Sequence, residues 1–122
     1  MTLPALENAS EDELDAMGRN AALATDFLKA IAHESRLMIL CYLAGGPRSV
    51  TELEQLLSRR QPSVSQQLAR LRTEGLVATE RHGKTIYYSL ADERARRLVD
   101  VVYDMFCARP MSAEELARDA TR

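Results

Sequence analysis

The sequence has no tryptophan, and its few Phe and Tyr residues bring the aromatic share to only 5% of 122 residues. Large all-β domains lean on aromatic and β-branched side chains, so this scarcity favours a helical fold. It also argues against base-stacking platforms for single-stranded nucleic acid. Cysteine is scarce too: two thiols do not make a disulfide scaffold, and reduced thiols in a cytoplasmic chain are expected. No apolar run approaches the ~18 residues of a membrane helix. The acidic start, MTLPALENASEDELD, lacks the character of a secretory signal, so no membrane partner is expected. No nucleophile elbow, phosphate loop or paired-carboxylate motif is visible. His33 and Cys41 are eight residues apart and are expected on different helix faces, so no enzyme and no cofactor are expected.

The charge that is present is unevenly spread. Residues 1–44 hold 3 Lys/Arg against 7 Asp/Glu, residues 45–90 hold 7 against 4, and residues 91–122 hold 6 against 7. Residues 58–73 contain Arg59, Arg60, Arg70 and Arg72 and no acid. An acidic chain with one basic segment fits nucleic-acid binding through a local surface, although a solvated arginine-rich helix face has the same composition.

Hydrophobic spacing predicts one domain, residues 1–122, with helices and a hairpin. Ser10 and Glu13 form a capping box, and Leu14, Met17, Ala21, Ala24, Leu28 and Ile31 make an apolar stripe over about 11–31. A second, largely buried helix runs to Ala44 and stops at Gly45-Gly46-Pro47. Ser49 and Glu52 cap a short third helix with Val50, Leu53, Leu56 and Leu57 inward. A turn at 59–61 leads to a helix from about Pro62 to Glu74 that buries Val64, Leu68 and Leu71 and ends at Gly75. The period then changes to two, and two strands flank His82-Gly83-Lys84. A last helix from about Asp92 to Ala108 is apolar almost all round, through Leu98, Val99, Val101, Val102, Tyr103, Met105 and Phe106. Pro110 breaks it, and Ser112 and Glu115 cap a tail helix within 111–122. Residues 1–10 are a candidate disordered N-terminal segment.

Two helices joined by a three-residue turn and followed by a hairpin have the spacing of a winged helix-turn-helix, mainly α with one β-hairpin. The second helix of that motif enters the DNA major groove. Gln61, Ser63, Ser65, Gln66, Gln67 and Arg70 are the candidate readers, because Gln can pair with adenine, Arg with guanine and Ser with either base or phosphate. Arg81, His82 and Lys84 at the wing tip are candidates for backbone or minor-groove contact. The surplus of apolar faces on the first and last helices predicts a homodimer across a two-fold axis. A winged helix used only for protein contact is the alternative.

The run SVTELEQLLSRRQPSVSQQLARLRTEGLVATERHGKTIYYSL and the preceding AIAHESRLMILCYL resemble the ArsR/SmtB family of bacterial winged-helix repressors over about residues 25–107. One departure is Arg60, where many relatives place Ser or Thr before Gln-Pro. The resemblance implies a homodimer built from the first and last helices, a pseudo-palindromic double-stranded operator, and release of DNA when an inducer binds.

Two metal-site patterns of that family are missing. The third helix carries Thr51-Glu52-Leu53-Glu54-Gln55 where some members have Cys-x-Cys, and the last helix has no His. Zinc prefers Cys and His ligands, so no metal is expected at those places. Cys41 on the second helix and Cys107 at the end of the last remain. On their own they read more readily as two small buried hydrophobes. The chain is, however, similar to the BigR/SqrR-like branch, which carries a cysteine pair on these two helices. That resemblance implies redox sensing, in which persulfides or polysulfides bridge Cys41 and Cys107. Peroxide, a soft metal or a metalloid acting on the same pair is the alternative inducer.

Overall fold

The computed structural model describes residues 6–57 and 64–107. After a 3-10 turn at Leu6–Asn8 come α1 (Glu11–Ile31), α2 (Glu34–Ala44), β1 (Arg48–Ser49), α3 (Val50–Leu57), α4 (Val64–Thr73), β2 (Val77–His82), β3 (Thr85–Leu90) and α5 (Glu93–Phe106). The turn at 59–61, Pro62, the candidate readers Gln61 and Ser63, and the expected tail helix at 111–122 lie outside the described residues.

Short polar residues start the helices as their capping chemistry requires. Ser10 Oγ accepts the Glu13 N–H at 3.1 Å and opens α1. His33 Nδ1 accepts the Ser35 N–H at 3.2 Å and opens α2. At α3 both halves of the capping box form: the Glu52 N–H donates to Ser49 Oγ and the Ser49 N–H donates to Glu52 Oε1, each at 3.2 Å. Asp92 Oδ1 accepts the N–H groups of Arg94 and Ala95 at 2.7 and 3.2 Å and opens α5. The Arg94 side chain bonds the same carboxyl, which holds the Asp92 pKa below its ordinary value.

α2 is the centre of the molecule. Its Ile39, Leu40 and Leu43 are buried, and it packs against α3, α4, α5 and β3. Leu53 and Leu57 from α3, Val64, Leu68 and Leu71 from α4, and Ala95 and Val99 from α5 complete the core with Leu76 and Val77. Leu56 was expected inside but is exposed. The buried stripe of α3 runs through Val50, Leu53 and Leu57, and at 100° per residue Leu56 falls on its margin.

The hairpin pairs Val77 with Leu90 through to His82 with Thr85, and Gly83 takes the positive φ of its turn, +64°. Alternation in the sequence reveals these two strands only. The structure adds β1 on the other edge of β3, with Arg48 opposite Tyr88 and Ser49 opposite Tyr87, for the order β1-β3-β2. Helix, short connection, helix and wing together make a winged helix-turn-helix, mostly helical as expected. No helix among the described residues is long and apolar enough to cross a membrane.

Two helices keep apolar surface uncovered. α1 has 21 residues, yet only Ala30 and Ile31 at its end are buried. The expected stripe of Leu14, Met17 and Leu28 is exposed. On α5, Ala95 and Val99 face the core while Val101 and Met105 face outward.

Candidate functional site

α4 turns Val64, Leu68 and Leu71 into the core, and this fixes what its other side presents. Ser65, Gln66 and Arg70 are exposed, as the spacing predicts. Arg70 Nε lies 3.4 Å from Glu74 Oε1 in an exposed i,i+4 ion pair. Such pairs contribute only about 0.3–0.5 kcal/mol, so a phosphate or a base can displace Glu74 at small cost.

Gln67 departs from the expected exposure. It is half-buried, and its Oε1 accepts a hydrogen bond from Arg36 Nη1 at 2.9 Å. The reason is its place on the helix: Gln67 sits three residues after Val64 and four before Leu71, on the edge of the buried face. Bidentate pairing with adenine uses both halves of the amide, and here the carbonyl half is already engaged.

Arg36 itself was not foreseen as a functional residue. Its Nε donates to the Ala30 carbonyl at 2.7 Å and its Nη2 to the Lys29 carbonyl at 3.4 Å. One guanidinium therefore ties the end of α1, the start of α2 and the middle of α4 together. A signal was available in the sequence. A cation in the first turn of a helix opposes the helix dipole, so Arg36 calls for a partner elsewhere.

At the wing, Arg81, His82 and Lys84 are all exposed around the Gly83 turn. His82 is held back toward its own sheet: its Nε2 is 3.3 Å from Glu80 Oε1, and its ring meets Tyr87 edge-on with centroids 5.6 Å apart.

The two cysteines lie on different elements and come together. α2 packs against α5, and Cys41 and Cys107 line one cavity of about 440 Å³ between them. Leu37, Met38 and Tyr42 form the α2 wall, and Val102, Tyr103 and Phe106 form the α5 wall. The i,i+4 steps from Leu37 to Cys41 and from Met38 to Tyr42 put these residues on one side of α2. Both thiols are free; Cys41 is half-buried and Cys107 is exposed at the end of α5. Burial raises the Cys41 pKa, and the nearby Cys107 raises it further. Cys107 is the more accessible of the two to a reagent arriving from solvent. Among the described residues the cavity lining holds no His, Asp or Glu to complete a metal ligand set around the two sulfurs.

The sequence matches the family described as bacterial regulatory protein, arsR family, over residues 33–79. It is 48% identical over 98 residues to the biofilm growth-associated repressor of Agrobacterium fabrum, an alignment covering 80% of this chain and 84% of that protein. It is 37% identical over 105 residues to the transcriptional activator HlyU of Vibrio cholerae, covering 86% and 96%. Its structure is similar to that of the transcriptional repressor BigR from Xylella fastidiosa, with a TM-score of 0.70 at 41% identity, over 81% of this chain and 98% of that one.

Proposed function

The chain belongs to the arsR family of bacterial regulatory proteins, and from that premise we propose that it is a dimeric repressor whose operator is released when sulfur bridges Cys41 and Cys107. Its relatives are transcription regulators with this DNA-binding fold, and it is a regulator rather than an enzyme. The observation that carries the sensing part is the shared cavity: two free thiols from separate helices face one apolar space within one subunit.

In this reading the reduced dimer places two α4 helices in successive major grooves of a pseudo-palindromic duplex. Ser65, Gln66 and Arg70 meet base edges, and Arg81 and Lys84 meet the backbone or minor groove. Gln61 and Ser63, outside the described residues, are proposed as DNA contacts on sequence grounds alone, and His82 supports the wing. The dimer is supported by exposed apolar side chains on both candidate helices: Leu23 (66%) and Leu28 (51%) on α1, and Val101 (54%) and Met105 (61%) on α5. Surface of this kind is what a two-fold interface buries.

Induction is a sulfur transfer. Cys107 thiolate attacks the outer sulfur of a persulfide R–S–SH and becomes Cys107–S–SH, releasing R–SH after proton uptake. A second persulfide converts Cys41 in the same way. The two protein persulfides then condense to Cys41–S–S–S–Cys107 with loss of H₂S. A direct disulfide needs Cα atoms within about 7 Å, whereas each added sulfur extends the reach by about 2 Å. The bridge ties α5 to α2, and α2 reaches α4 through the hydrogen bond from Arg36 to Gln67. Weakening operator binding 100-fold takes about 2.7 kcal/mol of coupling.

Intact-mass measurement on the reduced dimer after polysulfide, peroxide or a soft metal tests this. The expected product gains sulfur and loses hydrogen, and it no longer binds operator. Release accompanied by bound metal, or by loss of two hydrogens alone, would instead assign a metal or peroxide sensor.

A further inference from the structure

We propose that the cavity between α2 and α5 selects neutral, apolar organosulfur compounds, with dialkyl trisulfides as the class that fits, over sulfur donors that carry carboxylates. This deepens the dithiol reading and rests on it. The volume, about 440 Å³, lies within the roughly 300–1,000 Å³ of small-molecule sites. Its walls are side chains such as Leu37, Met38, Val102 and Phe106, and no Lys, Arg or His lines it among the described residues. A carboxylate settling on this apolar, half-open surface gives up part of its water and meets no counter-charge. Divalent sulfur, by contrast, is soft and polarizable and is favourable at the edges of aromatic rings such as those of Tyr103 and Phe106.

The chemistry balances without an outside oxidant. Cys107 thiolate attacks the central sulfur of R–S–S–S–R and displaces one R–S⁻, leaving Cys107–S–S–S–R, in which the first sulfur is the cysteine's own. Cys41 loses its proton and attacks the middle sulfur of that chain, and the second R–S⁻ leaves. The products are Cys41–S–S–S–Cys107 and, after protonation, two R–SH. The cavity acts by holding the R groups during both displacements. Each CH₂ buried there raises the rate about fourfold.

The test follows bridge formation by intact mass in the reduced full-length protein. The probes are dimethyl, diethyl and dipropyl trisulfide, with bis(2-carboxyethyl) trisulfide as the anionic comparator. Each rate is divided by the rate of the same probe with the urea-unfolded chain, which removes intrinsic reactivity. The normalised rate is expected to climb along the alkyl series by about fourfold per buried CH₂. The anionic probe is expected to lag the dipropyl compound by well over tenfold. Tyr103→Lys, at an exposed wall position, is expected to narrow that gap; operator binding by its reduced form confirms that it has folded. Equal normalised rates, a faster anionic probe, or no bridge with any trisulfide would overturn the proposal. Selective bridging that leaves operator affinity unchanged would uphold this site and refute the switch proposed above.

Discussion

Replacing Arg36 separates two roles for Gln67, a strut inside the protein or a reader of bases. Arg36→Ala removes donors to Gln67 Oε1 at 2.9 Å, to the Ala30 carbonyl at 2.7 Å and to the Lys29 carbonyl at 3.4 Å. Hydrogen bonds to charged groups contribute about 1.5–3 kcal/mol each when well shielded. The longest of these is exposed and adds little, and the other two are half-buried. The expected loss of stability is therefore about 2 kcal/mol for Arg36→Ala. Gln67→Ala, which removes one bond, is expected to lose about 1 kcal/mol. Because both substitutions delete the same contact, the double variant should recover a coupling of about 1 kcal/mol. Arg36→Lys should behave like Arg36→Ala, since one ammonium cannot reproduce the fork. Urea unfolding at one fixed protein concentration measures all four, because the stability of a dimer depends on concentration. Operator binding is the second readout: loss of the strut should weaken binding evenly across operator sequences. A coupling near zero, with Gln67→Ala instead losing discrimination at a single base pair, would refute the strut and return Gln67 to base reading.

Other expectations follow from the same geometry. Gln66→Ala or Arg70→Ala should cost about 1–3 kcal/mol of sequence discrimination, and Lys84→Ala should lower the salt slope of binding by about 1, both read from titrations at several salt concentrations. Val101→Glu, on the exposed side of α5, should shift the dimer to monomer in analytical ultracentrifugation and abolish operator binding with it. Burial raises the Cys41 pKa, so the folded chain holds that proton more tightly than the unfolded chain does. Stability from this group is therefore complete below the ordinary thiol pKa of about 8.5 and is lost as pH rises above it. Cys41→Ser should remove that part of the alkaline fall in urea-unfolding stability.

Local chemistry made most of the fold legible in the sequence. The capping pairs Ser10–Glu13 and Ser49–Glu52 act over three residues, and Gly75 and Gly83 mark turns by their own backbone freedom. The hairpin announces itself by its alternation. What stayed hidden depends on distant segments. β1 is two residues long and exists only through its pairing with Tyr87 and Tyr88, so no periodicity reveals it. Gln67 looks like any exposed polar residue of α4 until Arg36 arrives from α2. The thiol pair was suggested by resemblance, while the apolar walls around it needed the packing of α2 on α5 to become visible.

The claim that Cys41 and Cys107 form one switch is tested most directly by operator affinity before and after polysulfide treatment. The proteins to compare are the wild type, Cys41→Ser and Cys107→Ser. All three should bind operator alike when reduced, because neither thiol lies on α4 or the wing. After treatment the wild type should lose about 100-fold in affinity, or about 2.7 kcal/mol, while both variants keep theirs. Normal release by either single-cysteine variant would contradict the dithiol switch.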